Sequence, residues 1–153
     1  MSSQPSEIIT RPPQRVLFLC VHNSARSQMA EAWARKLAPS GVEAWSAGTE
    51  PVPVHPDAVA VMAEVGIALE GHRSKAIEEV PWRDADTVVT LCGEAQEACP
   101  ALAAPVRRVH WPLPDPAAAP EAGRMAAFRE IREEIRWRVS SLWPREESGE
   151  KKS

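Results

Sequence analysis

The fold is decided by the run Val16-Leu17-Phe18-Leu19-Cys20 and by the loop that follows it, Val21-His22-Asn23-Ser24-Ala25-Arg26-Ser27. A short, continuous apolar run is typical of a strand that is buried on both faces in a parallel sheet. Helical spacing begins directly after the loop, because Met29, Trp33 and Leu37 recur at every fourth position. The chain is therefore predicted to open with a strand, a short loop and a helix.

Strands and helices alternate through the rest of the chain. A second helix is predicted to begin at Pro56 and end near Gly66, since proline suits a first helical position and glycine a C-terminal cap. Apolar residues at helical spacing over 128–142 predict a closing amphipathic helix. This order predicts an α/β fold with a mostly parallel sheet. The other strands are predicted at 42–47, 87–91 and 106–111.

Length and composition describe one catalytic domain. The 153 residues are 44% hydrophobic, and no apolar run reaches the roughly 18 residues of a membrane span. Residues 1–14, polar and broken by prolines, are predicted to form a disordered arm and 145–153 a flexible tail, which leaves 15–144 as the domain. The net charge of −3, from 18 basic and 21 acidic residues, argues against a nucleic-acid partner. With three cysteines and no export signal, we expect a cytoplasmic protein. We also expect it to be a monomer.

The loop after the first strand is a candidate anion site. Amide N–H groups between a strand and a helix N-terminus point inward, and the helix dipole adds positive potential. We expect Val21, His22, Asn23, Ser24 and Ala25 to form this cradle, with the His22 side chain in solvent. Asn23 suits the loop because asparagine tolerates left-handed backbone geometry.

Cys20 and Arg26 are the candidate catalytic residues at the two ends of this loop. The loop amides and the Ser27 hydroxyl would stabilise the Cys20 thiolate. The planar guanidinium of Arg26 can hold two oxygens of a tetrahedral oxyanion. Displacement at such an oxyanion needs a proton donor opposite the thiolate, and Asp115, in a proline-flanked loop after the fourth strand, is the best-placed candidate. The alternative is a capped turn with an incidental thiol.

Cys92 and Cys99 are either redox-active or small buried hydrophobic residues. They lie seven positions apart, which in an intact helix separates their α-carbons by roughly 10–11 Å. A disulfide requires less than about 7 Å, so bonding the two would require the segment to change shape, and Gly93 lowers the cost of that change. We expect no metal, because the sequence lacks a Cys-x2-Cys pair.

Several short blocks of the sequence form a set: residues 16–32 and then, in order, Ser46-Ala-Gly-Thr49, His55-Pro56, Gly66-Ile67, His72-x-Ser74-Lys75, Val88-Val-Thr-Leu-Cys-Gly93, Cys99-Pro100 and Asp115-Pro116. As a set, these blocks resemble the thioredoxin-coupled arsenate reductases, which share the low-molecular-weight tyrosine phosphatase fold. The resemblance covers roughly residues 15–142 and implies a four-stranded parallel sheet flanked by helices, with no cofactor.

The resemblance also implies a reaction sequence. Cys20 attacks arsenate, Arg26 and the loop amides bind its oxygens, and Asp115 protonates the leaving oxygen. Cys92 then attacks Cys20 and releases arsenite, and Cys99 attacks Cys92 to present a Cys92–Cys99 disulfide to thioredoxin. A dithiol supplies the two electrons that the reduction needs. Phosphate and sulfate would bind as analogues of arsenate.

Two positions depart from the pattern of these families. Ala117 stands where the phosphatases carry a tyrosine after Asp-Pro, and the chain contains no tyrosine. Some members hold a structural potassium ion near the loop, with an acidic side chain where this chain has Lys75. Asn23, Glu31 and Ser46 match the rest of that site, so we expect the Lys75 ammonium to replace the ion.

Two other functions remain open at this stage. A low-molecular-weight tyrosine phosphatase would hydrolyse phosphoryl-cysteine with water, and weak phosphatase activity is expected in either case. A carrier module would store phosphocysteine for a partner, but Arg26 and Asp115 favour turnover over storage.

Overall fold

The computed structural model describes residues 11–69, 71–93 and 106–144. Four parallel strands form a single sheet, which confirms the predicted α/β fold. The strands are β1 (Arg15–Cys20), β2 (Glu43–Gly48), β3 (Thr87–Thr90) and β4 (Arg107–His110), and the helices are α1 (Arg26–Leu37), α2 (Pro56–Glu64) and α3 (Arg124–Ser140). None of the helices in these ranges is long and apolar enough to cross a membrane.

The strand order is β2-β1-β3-β4, so the order in which strands are added to the sheet reverses next to β1. From β1 the chain goes to one side of the sheet to form β2 and later to the other side to form β3. In sheets of this kind the connections diverge beyond the carboxyl end of the first strand and leave a crevice there. The loop that follows Cys20 lies at that crevice.

The two faces of the sheet are covered differently. The face of Val16, Phe18 and Val89 packs against α1, α2 and α3 in the larger hydrophobic core. The face of Leu17 and Leu19 is covered, within the described ranges, by short 3-10 turns over 77–79 and 82–84 rather than by α-helices. Both faces of β1 are therefore buried, as its continuous apolar run predicts.

The predicted arm does not extend to residue 14. The backbone N–H groups of Gln14 and Arg15 donate to the Asp86 carboxylate at 3.0 and 2.9 Å, and the Trp143 indole donates to the Pro13 carbonyl at 2.8 Å. Composition misses this boundary because residues 13–15 make all three of these bonds through backbone atoms. The rest of the predicted arm (1–10), the predicted tail (145–153) and Cys99 lie outside the described residues.

Candidate active site

Cys20, Cys92 and Asp115 lie at the carboxyl edge of the sheet. Cys20 is the last residue of β1 and Cys92 comes two residues after β3, and each is only 2% exposed. Asp115 follows β4 and is the N-cap of the 3-10 turn Pro116–Ala118, its Oδ1 accepting the N–H of Ala117 at 3.0 Å. Asp115 keeps about a third of its side chain exposed, at 32%.

Arg26 connects the segments that carry these groups. Its buried guanidinium donates from Nη1 to the carbonyls of Leu91 at 3.2 Å and Leu113 at 2.8 Å. Its Nη2 lies 3.8 Å from Oδ2 of Asp115. Leu91 directly precedes Cys92, and Leu113 lies two residues before Asp115. The Arg26 side chain is therefore bonded both to the segment that leads to Cys92 and to the segment that leads to Asp115.

The carbonyl groups of the loop are turned outward by hydrogen bonds to neighbouring segments. Each carbonyl from residue 21 to residue 24 has a donor outside the cradle, three of them from the backbone of the segment 50–55. This pattern leaves the concave side of the loop to amide N–H groups, as an anion site requires. The backbone pairs are Glu50 N–H to Val21 (2.8 Å), Val52 N–H to His22 (3.1 Å) and His55 N–H to Ser24 (2.9 Å). The carbonyl of Asn23 accepts from Ser74 Oγ (2.8 Å) and Gln28 Nε2 (3.1 Å).

Asn23 shapes the cradle, as the sequence predicts. Its φ of 49° is in the left-handed region. The turn brings its N–H to 3.3 Å from Sγ of Cys20. Its side-chain Oδ1 accepts from the backbone N–H of Lys75 and from Nε2 of Gln28, both at 2.9 Å, so the amide NH2 end faces Ser27 and Ser46.

A chain of hydrogen bonds leads from Glu31 to the Cys20 sulfur, and its links as far as Ser27 have a defined direction. The Glu31 carboxylate can only accept, so Ser46 Oγ donates to it at 2.5 Å and accepts from Asn23 Nδ2 at 2.9 Å. The second Nδ2 proton of Asn23 goes to Ser27 Oγ at 2.8 Å. A Cys20 thiolate has no proton to give, so the Ser27 hydroxyl donates its own proton to that sulfur, 2.8 Å away.

Ser27→Ala is expected to slow alkylation of Cys20 by iodoacetamide at pH 6.5 by about tenfold or more. A hydrogen bond to a charged group contributes roughly 1.5–3 kcal/mol, and its loss disfavours the reactive thiolate. Peptide mass spectrometry would follow the Cys20 peptide separately from the other cysteines. Ser40→Ala, at an exposed turn position, is the control. An unchanged rate in Ser27→Ala would contradict the assigned donor.

Cations of the protein itself surround the Glu31 end of this chain. Arg35 Nη2 lies 2.6 Å from Glu31 Oε2, and Lys75 Nζ lies 3.8 Å from Oε1 while donating to the Arg73 carbonyl at 2.9 Å. Burial lowers the pKa of Lys75, and Glu31 opposes that effect. The Oδ1 of Asn23 already accepts two N–H groups. These residues do not fit a potassium ion, because an ammonium stands beside the carboxylate and the amide oxygen is occupied.

Gln28 belongs to the site and is absent from the residues predicted. Its fully buried side chain donates to the Asn23 carbonyl and Oδ1 and to the Arg73 carbonyl, and its Oε1 lies 3.2 Å from Nδ1 of His72. Nδ1 of His72 is the donor in this pair because the Gln28 amide oxygen can only accept, and burial lowers the pKa of His72. The available signal was a polar residue in the first turn of a helix whose neighbours at 29 and 30 are apolar.

These features define a class of enzyme. A buried thiol begins an amide-lined loop, a hydroxyl lies within hydrogen-bond distance of its sulfur, and the arginine at the end of that loop lies 3.8 Å from an aspartate. This is the equipment for nucleophilic displacement at a tetrahedral oxyanion.

Comparison with known proteins agrees with that class. Residues 15–152 match the low molecular weight phosphotyrosine protein phosphatase family. An arsenate reductase of Halalkalibacterium halodurans is 42% identical over 129 residues, covering 83% of this chain and 93% of that protein. An arsenate reductase of Bacillus subtilis is 43% identical over 122 residues, covering 78% and 88%.

Solved structures give the same result. An arsenate reductase in a phosphate-binding state aligns with a TM-score of 0.70 at 35% identity, covering 84% of this chain and 95% of that one. A thioredoxin-dependent arsenate reductase of Corynebacterium glutamicum aligns with a TM-score of 0.66 at 31% identity, covering 90% of this chain and 64% of that one. The chain belongs to the low molecular weight phosphotyrosine protein phosphatase family and, within it, to the arsenate reductases.

Proposed function

We propose that this enzyme reduces arsenate to arsenite through Cys20, Cys92 and Cys99, with thioredoxin restoring the thiols. The observation that carries the proposal is the position of Arg26, which bonds both to the segment leading to Cys92 and to the loop leading to Asp115. The acid loop and the segment that carries the second thiol are thus both bonded to one guanidinium, at the end of the loop that begins with Cys20. A hydrolase would need the first two but not a thiol at 92.

Arsenate is held by charge and by shape. The amides of the loop and the guanidinium of Arg26 offer donors to a tetrahedral dianion, and the bonds that anchor Arg26 reduce the reorganisation needed on binding. The sequence departure at Ala117 agrees with a small inorganic substrate, because no aromatic wall follows the acid. Phosphate and sulfate share the geometry and are expected to compete.

The first step is a displacement at arsenic. The Cys20 thiolate forms a sulfur–arsenic bond while one arsenic–oxygen bond breaks, and Asp115 gives its proton to the departing oxygen, which leaves as water. Arsenic remains pentavalent in this adduct of Cys20 and arsenate. The proton that Ser27 donates to Sγ holds the sulfur as a thiolate before the attack.

The second and third steps move two electrons. The Cys92 thiolate attacks Sγ of Cys20, the sulfur–arsenic bonding pair stays on arsenic, and arsenite leaves as a Cys20–Cys92 disulfide forms. The Cys99 thiolate then attacks Cys92, which frees the Cys20 thiolate and leaves a Cys92–Cys99 disulfide. The dithiol of thioredoxin reduces that disulfide and is itself oxidised. The reactions suit a reducing cytoplasm, and we propose that the enzyme acts there as a monomer.

A coupled assay tests this function. The enzyme is mixed with thioredoxin, thioredoxin reductase and NADPH, and 4-nitrophenyl phosphate hydrolysis is measured in parallel. We expect arsenate to trigger continuous NADPH oxidation, with one arsenite formed per NADPH, and phosphatase turnover to be slower. Rapid hydrolysis without arsenate-dependent NADPH oxidation would instead make the protein a phosphatase, the second candidate, which the shared loop and acid support.

A further inference from the structure

We propose that Gly93 is a positioning residue for Asp115. Its lack of a side chain lets the segment after β3 lie directly on the backbone that leads to the acid, and this contact sets where the Asp115 carboxyl stands. The inference rests on the proposed role of Asp115 as proton donor. It adds that the residue next to Cys92 controls the step in which Asp115 donates its proton.

The contact at Gly93 is too close for any other residue. A Cβ placed on Gly93 would lie 2.2 Å from the Leu113 oxygen, 2.5 Å from the Leu113 carbonyl carbon and 3.0 Å from the Pro114 nitrogen. All three are backbone atoms, so no rotation of a side chain relieves the clash. The φ of Gly93 lies outside the left-handed region, so the glycine is required by space rather than by backbone conformation.

The Leu113 carbonyl is held from a second direction. Arg26 Nη1 donates to the same oxygen at 2.8 Å, and the Leu113 side chain is 4% exposed within the main core. Gly93 and Arg26 therefore contact this carbonyl while its side chain anchors it. The carbonyl has little room to move without losing one of these contacts.

A displacement of Leu113 would reach Asp115. The two residues are separated only by Pro114, and Pro112 and Pro116 stand on either side. Proline fixes φ near −65°, so this segment transmits a shift rather than absorbing it. Relieving the clash of a Cβ at 93 requires a separation of roughly 1 Å, and a misplacement of that size at a reacting group costs about 100-fold in rate.

The contribution of the proton donor can be measured by comparing substrates with a poor and a good leaving group. With a proton donor in place, kcat/KM for phenyl phosphate, whose leaving group is poor, stays near that for 4-nitrophenyl phosphate, whose leaving group is good. The quantity to compare is the ratio of kcat/KM for phenyl phosphate to kcat/KM for 4-nitrophenyl phosphate. Asp115→Asn should lower this ratio by about 100-fold or more, which is a typical contribution of a general acid. Gly93→Ala should lower the same ratio by about 10- to 100-fold. Gly123→Ala is the control, since a Cβ there meets open space and its φ is −113°.

The variants separate the possible outcomes. If Asp115→Asn leaves the ratio unchanged, Asp115 is not the donor and the proposed function loses its acid. If Asp115→Asn lowers the ratio but Gly93→Ala does not, or if Gly93→Ala lowers both substrates equally, the role of Gly93 is overturned. The double variant should be no worse than Asp115→Asn, because Gly93 acts through the acid.

A second variant covers the case in which Gly93→Ala does not fold. Pro114→Ala adds no atoms at the contact but loosens the link between Leu113 and Asp115, so it should lower the ratio in the same direction by about threefold to tenfold. An unchanged ratio in Pro114→Ala would contradict transmission through this segment. Protection of Cys20 from alkylation by phosphate shows that the loop of each variant is intact.

Discussion

Cys20→Ser is expected to abolish both arsenate reduction and aryl phosphate hydrolysis, by a factor on the order of 10³ or more. A serine hydroxyl is hardly ionised near pH 7, whereas a Cys20 thiolate can accept from the Ser27 hydroxyl at 2.8 Å and the Asn23 N–H at 3.3 Å. The donors that stabilise an anionic sulfur would face a neutral hydroxyl. Both steady-state assays described above measure this loss.

The control for Cys20→Ser is phosphate binding. The loop amides and Arg26 remain in place, so calorimetry should give a phosphate affinity within about fivefold of that of the parent, since a single buried hydrogen bond contributes roughly 1 kcal/mol. Activity within tenfold of the parent in either assay would remove Cys20 from the mechanism. Loss of phosphate binding together with activity would point to a damaged loop.

Cys92→Ser is expected to lose catalytic arsenate reduction while keeping aryl phosphatase activity within about twofold. Without the Cys92 thiol, no thiolate at position 92 can attack the adduct of Cys20 and arsenate, so arsenite is not released. The loop hydrogen bonds of Cys20, Asn23 and Ser27 do not involve residue 92. NADPH oxidation and 4-nitrophenol release, measured on the same preparation, give the two activities.

The retained phosphatase activity is the internal control for Cys92→Ser. It shows that the nucleophile, the anion loop and the acid still function. Multiple turnovers of arsenate at the parent rate would mean that an external thiol performs the release. Equal loss of both activities would mean that residue 92 supports the loop rather than the electron transfer.

The fold could be predicted because its signals are local. The apolar run at 16–20 reports burial on both faces, and Pro56 and Gly66 mark the ends of one helical pattern; Gly66 has the positive φ of 81° that favours glycine. The placement of Cys20, Arg26 and Asp115 at one edge of the sheet could also be predicted, because Cys20 ends a strand, Arg26 begins a helix and Asp115 follows a strand.

Other parts of the site depend on contacts between distant segments. The carbonyls of the loop are bonded to backbone N–H groups of residues 50, 52 and 55, which no side-chain pattern reveals. Gln28 joins the site through the Asn23 and Arg73 carbonyls, so spacing along the helix does not single it out. The close approach of Gly93 to the Leu113 backbone also joins distant segments, so the sequence predicts only that Gly93 eases a change of shape.

The most direct test of the three-thiol reduction is a single-turnover experiment on Cys99→Ser. The reduced variant is mixed with one equivalent of arsenate without thioredoxin, and free thiols are then blocked and the peptides mapped by mass spectrometry. The account predicts one arsenite per enzyme and a Cys20–Cys92 disulfide that persists, because the thiol that would attack Cys92 is missing. Arsenite formed without that disulfide, or repeated turnovers under thioredoxin at the parent rate, would contradict it.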